Sequence, residues 1–365
     1  KAFVIFLLGL LALGAGQVPL YAQPKIPAAA DQALFEILNL RTQTARNIIA
    51  QGRAAEPNNL YYDYLDNWME VIELALYEQD ERYGQYLQSF EERIRHVKAT
   101  GNRNDPAYNI LLGEMYVHAG MANILYNDHF DGFRKILTAD DYVDENLEKH
   151  PGYWMNNKLS GTMNVGFDMM PSMLKWFANL FGLKGNANAG YRQLNQYLKS
   201  VNEQPGLKAE ALLYYGFVLK LSKRDQEAAN LMQMNTTLAQ APALNIFFLS
   251  TLQYISGNNE EAMKALSAFP KNKIELPFRH ISYLEGREKI NRLDPDAYVP
   301  FTQFLRSSNF KNNKRDVCLK LSYHYFMLND KDRYHYYLQL INSYPKSKMD
   351  RDKEADVESA RGYDP

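Results

Sequence analysis

The chain has 365 residues, 46% hydrophobic and 23% charged, with a formal net charge of −1. That composition belongs to a folded globular protein, and interspersed, near-neutral charge excludes nucleic acid as an expected partner, which needs a basic stripe. The single cysteine, Cys318, rules out an internal disulfide, and its apolar place in a helical pattern marks it as a buried thiol rather than a nucleophile.

Residues 1–22 have the layout of a secretory signal peptide. Lys1 precedes an apolar run, followed by Gly14, Gly16, Pro19 and a small-residue cleavage point at Ala22. The run stops well short of the roughly 20 apolar residues of a membrane anchor. No cysteine lies near the cleavage point, so the chain is expected to be exported, periplasmic or associated with the outer membrane, and not a lipoprotein. Residues 23–30 form a Pro- and Ala-rich linker, and residues 31–205 a divergent helical region. Helical periodicity there predicts helices over 31–51, with Asp31 as N-cap and Gly52 as stop, then 60–77 and 80–100. Another starts at Pro106, where proline suits the first turn; further helices are expected from 140 and over 191–201.

Residues 206–365 carry a repeat. Gly216, Ser250, Gly286 and Ser322 stand 34, 36 and 36 residues apart, each inside an apolar helical stretch followed by a second one. One helix pair per period of this length predicts an all-α, tetratricopeptide-like solenoid, in which the small residue lets paired helices approach closely. First helices are expected at 207–221, 243–256, 277–292 and 314–328, and second helices at 224–240, 259–268, 295–307 and 331–343. Ala228 and Ala262, twelve residues after Gly216 and Ser250, mark the tight crossings; Tyr298 and Tyr334 take that place in the later units. Residues 350–360 look like the start of a fifth unit, so the solenoid is expected to continue beyond Pro365.

Gly161, Pro171, Trp176, Gly182, Gly185, Gly190 and Leu194, with Phe247-Phe248-Leu249, Gly257-Asn258 and Ala262 further on, resemble a group of divergent tetratricopeptide proteins. That group includes the eukaryotic inclusion-body-clearance proteins and exported bacterial relatives. The resemblance implies an all-helical repeat fold with an interaction role and no catalytic residues to carry over.

Other chemistry is poorly supported. The glycines at 182, 185 and 190 lack the preceding strand and the following Lys-Ser/Thr of a phosphate loop. Glu114 and His118, or Asp128, His129 and Asp131, give pairs rather than the three or four spaced ligands a metal needs. Asp140 and Asp141 are adjacent on a helix, about 100° apart, and would not flank one glycosidic bond. No cofactor is expected. The apolar stretch 167–183, with Trp176 and Phe177, raises carriage of a hydrophobic ligand or lipid as the alternative to a non-catalytic scaffold, ahead of a helical-hairpin enzyme.

The remaining surface is the inner groove. In tetratricopeptide units it is lined by first-helix positions six before, three before, one after and four after the small residue. The side chains there that could grip an extended peptide or a helix are Leu213, Phe217, Lys220, Phe247, Tyr254, His280, Tyr283, Arg287, Leu319, Tyr323 and Phe326; Glu210, Leu244, Thr251, Ile290 and Asp316 complete the set. A register shift of one residue would instead turn these aromatics into packing between repeats.

Overall fold

A computed structural model describes residues 26–170, 183–306, 312–347 and 349–361. The expected signal peptide, most of the apolar stretch 167–183 and Pro365 lie outside the described residues. Every regular element among the described residues is helical, and none of these helices is long and apolar enough to cross a membrane.

The helices are α1 (Ala28–Leu38), α2 (Thr42–Ala55), α3 (Tyr61–Tyr77), α4 (Asp80–Thr100), α5 (Pro106–Leu125), α6 (His129–Lys149), α7 (Asn156–Asp168), α8 (Ala187–Ser200) and α9 (Pro205–Leu221). They continue as α10 (Asp225–Asn235), α11 (Ala243–Ile255), α12 (Asn259–Ser267), α13 (His280–Asn291), α14 (Tyr298–Leu305), α15 (Lys314–Met327), α16 (Lys331–Ile341) and α17 (Asp350–Arg361). From α1–α2 to α15–α16, consecutive helices pack in pairs. The fold is an all-α, tetratricopeptide-like solenoid of helical hairpins.

One turn recurs. Leu40, Asn127, Lys223, Gly257, Leu293 and Asn329 all have positive φ, between 58° and 81°. Each follows a small, tightly packed residue by seven positions: Ala33, Gly120, Gly216, Ser250, Gly286 and Ser322. In all six turns the next amide donates to a carbonyl five residues back, from Arg41 to Glu36 through Asp330 to Tyr325, at 2.8–3.0 Å. This is the Schellman closure, which satisfies carbonyls left open at a helix end. The register predicted from 216 onwards therefore also runs through α1–α2 and α5–α6. Leu293 holds its left-handed conformation while 69% exposed, with no packing that requires a side chain. Leu293→Gly should raise the unfolding free energy by about 0.5–1 kcal/mol, the relief of Cβ strain less the extra entropy of the unfolded glycine; urea denaturation measures it.

The small residues do what close crossing demands. A Cβ on Gly120 would meet the Gly132 carbonyl at 2.9 Å, and one on Gly286 would meet the Phe301 ring at 2.4 Å. The Ser250 hydroxyl donates to the Ala262 carbonyl at 2.9 Å and stands 2.8 Å from Glu288 Oε1. One hydroxyl proton cannot serve both acceptors, and burial pushes Glu288 up to about 7, against the opposing contact with Ser250. The native state thus holds the Glu288 proton more tightly than the unfolded chain does. Stability from this group is complete below the unfolded carboxyl pKa and falls as pH rises towards 7. Glu288→Gln, which keeps a donor at every pH, should gain about 2 kcal/mol more over the native protein at pH 8 than at pH 5.

Several local expectations change. The helix predicted over 31–51 is two helices, broken at Leu40. Gly52 lies within α2, under the Tyr62 ring, and does not end it. Asp31 is not an N-cap of its own helix; α1 begins after Pro27, and the Asp31 carboxylate accepts from Leu207 N at 2.9 Å. Residues 140–149 lie inside α6 rather than opening a new helix. Gly190 belongs to α8 rather than to a loop.

Asp31 is one of several N-terminal groups that serve the ladder. Asn39 Oδ1 accepts from Ala243 N at 3.1 Å, at the start of α11. The Leu40 carbonyl accepts from Glu275 and Leu276 at 3.0 and 3.2 Å, ahead of α13. Glu78 Oε2 accepts from Asn312 N at 3.3 Å, ahead of α15. Four successive first helices thus have amides at or before their N-termini satisfied by residues 31–78, which fixes the N-terminal helices along that edge.

Candidate partner-binding cleft

The ladder's first unit is closed by the chain itself. Glu210, the first groove position of α9, is fully buried, and Lys158 of α7 places its ammonium 2.8 Å from Glu210 and 3.1 Å from Glu114 of α5. Tyr64 of α3 accepts from Lys158 at 3.0 Å and donates to Glu210. Tyr214 donates to Glu114 at 3.2 Å and meets His118 Nε2 at 2.8 Å. Since the Tyr214 proton goes to Glu114, His118 must donate from Nε2 and accept at Nδ1 from Asn67, 3.2 Å away. Burial, then Lys158, holds the His118 pKa well below its ordinary value, which agrees with that neutral tautomer. Burial opposes the Lys158 charge, but Glu114 and Glu210 together raise its pKa; burial and the neighbouring Glu210 raise Glu114 despite Lys158. With α3, α5 and α7 around it, the charged centre of this network, Lys158, Glu114 and Glu210, is fully buried among the described residues.

Further along, the first-helix face opens into a cleft of about 610 Å³ between α11, α13, α15 and α17. Four predicted groove residues meet there: Tyr254, Arg287, Tyr323 and Phe326. Ile290 and Asp316, at groove positions, also line it. The helical period explains the convergence, because Tyr254, Ile290 and Phe326 are equivalent positions on three successive first helices. The Arg287 guanidinium lies 4.2 Å over the Tyr254 ring, and Asn291 Nδ2 donates to Tyr254 OH at 3.1 Å. Tyr283 OH donates to Asp316 at 2.7 Å and accepts from Arg351 at 3.2 Å. Burial foremost raises both Tyr283 and Asp316, so the tyrosine keeps its proton. The rim is apolar: Leu293, Phe326 and Met327 are at least half exposed, and Tyr323 is more than a third exposed.

The other predicted groove residues lie elsewhere. Tyr283 is buried beneath the cleft, and Leu319 is buried with Cys318, Ile341 and Ala355. Leu213 and Phe247 are half-buried against the main core, Phe247 edge-on to Phe278 at 4.7 Å. His280 stands 3.8 Å from Glu78 and 5.5 Å from the Phe278 ring. Phe217 is exposed and Lys220 half-buried on α9, away from the cleft. Cys318 is buried, and burial first of all pushes its thiol up to about 12, which suits packing and not nucleophilic attack.

Sequence reasoning missed Leu293, Lys320, Met327, Arg351 and Glu354 in the cleft wall. Ala355 carried a usable signal: it follows Ser322 by 33 residues and is fully buried, so the ladder runs on into α17 and brings Arg351 and Glu354 with it. Among the described residues no group of three or more His, Cys, Asp or Glu side chains is placed to hold a metal ion.

No protein-family model matches the chain, and no curated protein matches it. Among solved structures, it is similar to NprR in complex with its cognate peptide NprX, at 12% identity and a TM-score of 0.41, over 91% of this chain and 95% of that one.

Proposed function

We propose that the chain is an exported, non-catalytic helical-repeat scaffold that holds a protein partner in the cleft between α11, α13, α15 and α17. The cleft itself carries the reading. Equivalent positions on successive first helices present Tyr254, Ile290 and Phe326 to one cavity, joined by Tyr323, with Leu293 and Met327 exposed on its rim. Aromatic and arginine side chains around a concave, partly apolar surface are the composition of binding hot spots. A cavity running across several parallel helices suits an extended segment or one helix. The signal-peptide layout of residues 1–22 supports a setting in the periplasm or at an outer-membrane assembly. The glycine pattern supports kinship with the divergent tetratricopeptide group, since Gly161 and Gly190 form the close crossing of α7 and α8, against Leu194.

Copurification tests this. Tyr323→Ala with Phe326→Asp should strip bound proteins from the purified chain while its helical circular dichroism is kept. Tyr336→Asp, on α16 and outside the cleft, should retain them. Equal recovery from both variants would remove the cleft from the function.

A further inference from the structure

The cleft is basic as well as aromatic. Arg287, Lys320 and Arg351 line it, from three different helices, against Asp316 and Glu354. None of the three cations forms an ion pair within 4.0 Å among the described residues. Arg287 is held by its neighbours without being neutralised: its guanidinium lies over Tyr254 and 5.5 Å from the Tyr283 ring, and its Nε is buried with no hydrogen-bond partner. Arg351 spends one donor on the Tyr283 hydroxyl, and Tyr283 in turn engages Asp316. That chain occupies the buried Asp316 carboxylate, which is already committed to a neutral phenol. Lys320 lies 5.7 Å from the Tyr323 ring centre, on the exposed side.

From this geometry we infer that the partner is an acidic segment, with an Asp or Glu carboxylate set between Arg287 and Arg351 and an adjacent apolar side chain against Phe326 and Met327. The inference rests on the cleft being the partner site. A guanidinium stacked on an aromatic ring, as Arg287 is on Tyr254, keeps its N–H edge free for a carboxylate, and Arg351 of α17, with donors beyond the one given to Tyr283, can share the same anion. A cationic segment would meet three like charges. A neutral amide oxygen would accept from the same guanidinium edges, but through bonds about half as strong as the charge-assisted ones a carboxylate makes. The whole chain is close to neutral, so the preference is local to the cleft.

The test uses fluorescein-labelled nonapeptides, amidated at the C-terminus, with two Glu flanking a Leu-Phe core, and their Gln and Lys counterparts. A fourth peptide has the Gln sequence and a free C-terminal carboxylate. Fluorescence anisotropy with the full chain should show the Glu peptide binding about tenfold tighter than the Gln peptide, more weakly at high salt, and the Lys peptide not at all. Arg287→Gln with Arg351→Gln should cost the Glu peptide about tenfold and leave the Gln peptide unchanged. If that double variant loses its helical spectrum, Lys320→Gln takes its place, with an expected loss of about threefold for the Glu peptide alone. Equal affinity for Glu and Gln peptides, abolished by Phe326→Asp, would overturn the acidic preference and leave the cleft as the partner site. Binding of the free-carboxylate Gln peptide as tightly as the Glu peptide would overturn it in favour of a chain terminus. No binding by any peptide would overturn both.

Discussion

Lys158→Met is expected to lower the unfolding free energy by about 3–5 kcal/mol, because it strands Glu114 and Glu210 in the interior without a counter-charge. All three side chains are fully buried, and Lys158 lies within 3.1 Å of both carboxylates. Desolvating an ion pair costs about as much as its attraction returns, so the network as a whole adds little net stability, but losing one member leaves the rest uncompensated. The control is therefore the triple variant Lys158→Met, Glu114→Gln, Glu210→Gln, which should recover about half or more of the loss. Urea denaturation of the two proteins decides it. Equal stability of Lys158→Met and the native chain would show that the carboxylates are neutral or hydrated, and that the network does not bind α3, α5 and α7 to α9.

Gly190→Val should cost about 3 kcal/mol or more by overpacking against main chain. A Cβ at Gly190 would stand 2.6 Å from the Gly161 carbonyl oxygen and 2.6 Å from Val165 Cγ2, with Asn164 at 3.1 Å. A backbone oxygen cannot move aside as a side-chain tip can, so α7 and α8 must separate. Gly166→Ala, on α7 with nothing within 4 Å of the added carbon, is the matched control and should gain a few tenths to about 1 kcal/mol from helix propensity. A gain at Gly190→Val like that at Gly166→Ala would show that α7 and α8 do not cross closely at Gly190.

Residues and their spacing made the repeat legible, yet only half of it. Gly216, Ser250, Gly286 and Ser322 stood out because two of them are glycines and all share a period of 34 to 36 residues. The same device at Gly120 and Gly132, twelve residues apart as in Gly216 and Ala228, was visible but lay at irregular spacing from the next unit. Leu40, Lys223 and Leu293 could not have been found this way, since nothing local marks a leucine or lysine for a left-handed turn. Four of the eleven groove candidates meet in the cleft because equivalent positions on successive first helices share a face. Glu210 did not reach solvent because the N-terminal helices cover the ladder at α9, a long-range contact that periodicity cannot report. The Lys158 network was illegible for the same reason: its members span residues 64 to 214 and meet only in the fold.

The most direct test of the cleft as the partner site is photo-crosslinking from a benzoylphenylalanine placed at Tyr323 or at Tyr336, both exposed, one on the cleft rim and one on α16 outside it. The full chain is irradiated where it is natively expressed, with Phe326→Asp as the paired background. A discrete crosslinked protein is expected from position 323, absent from 336 and lost on Phe326→Asp. Crosslinks from 336 with none from 323, or crosslinks at 323 that survive Phe326→Asp, would contradict it.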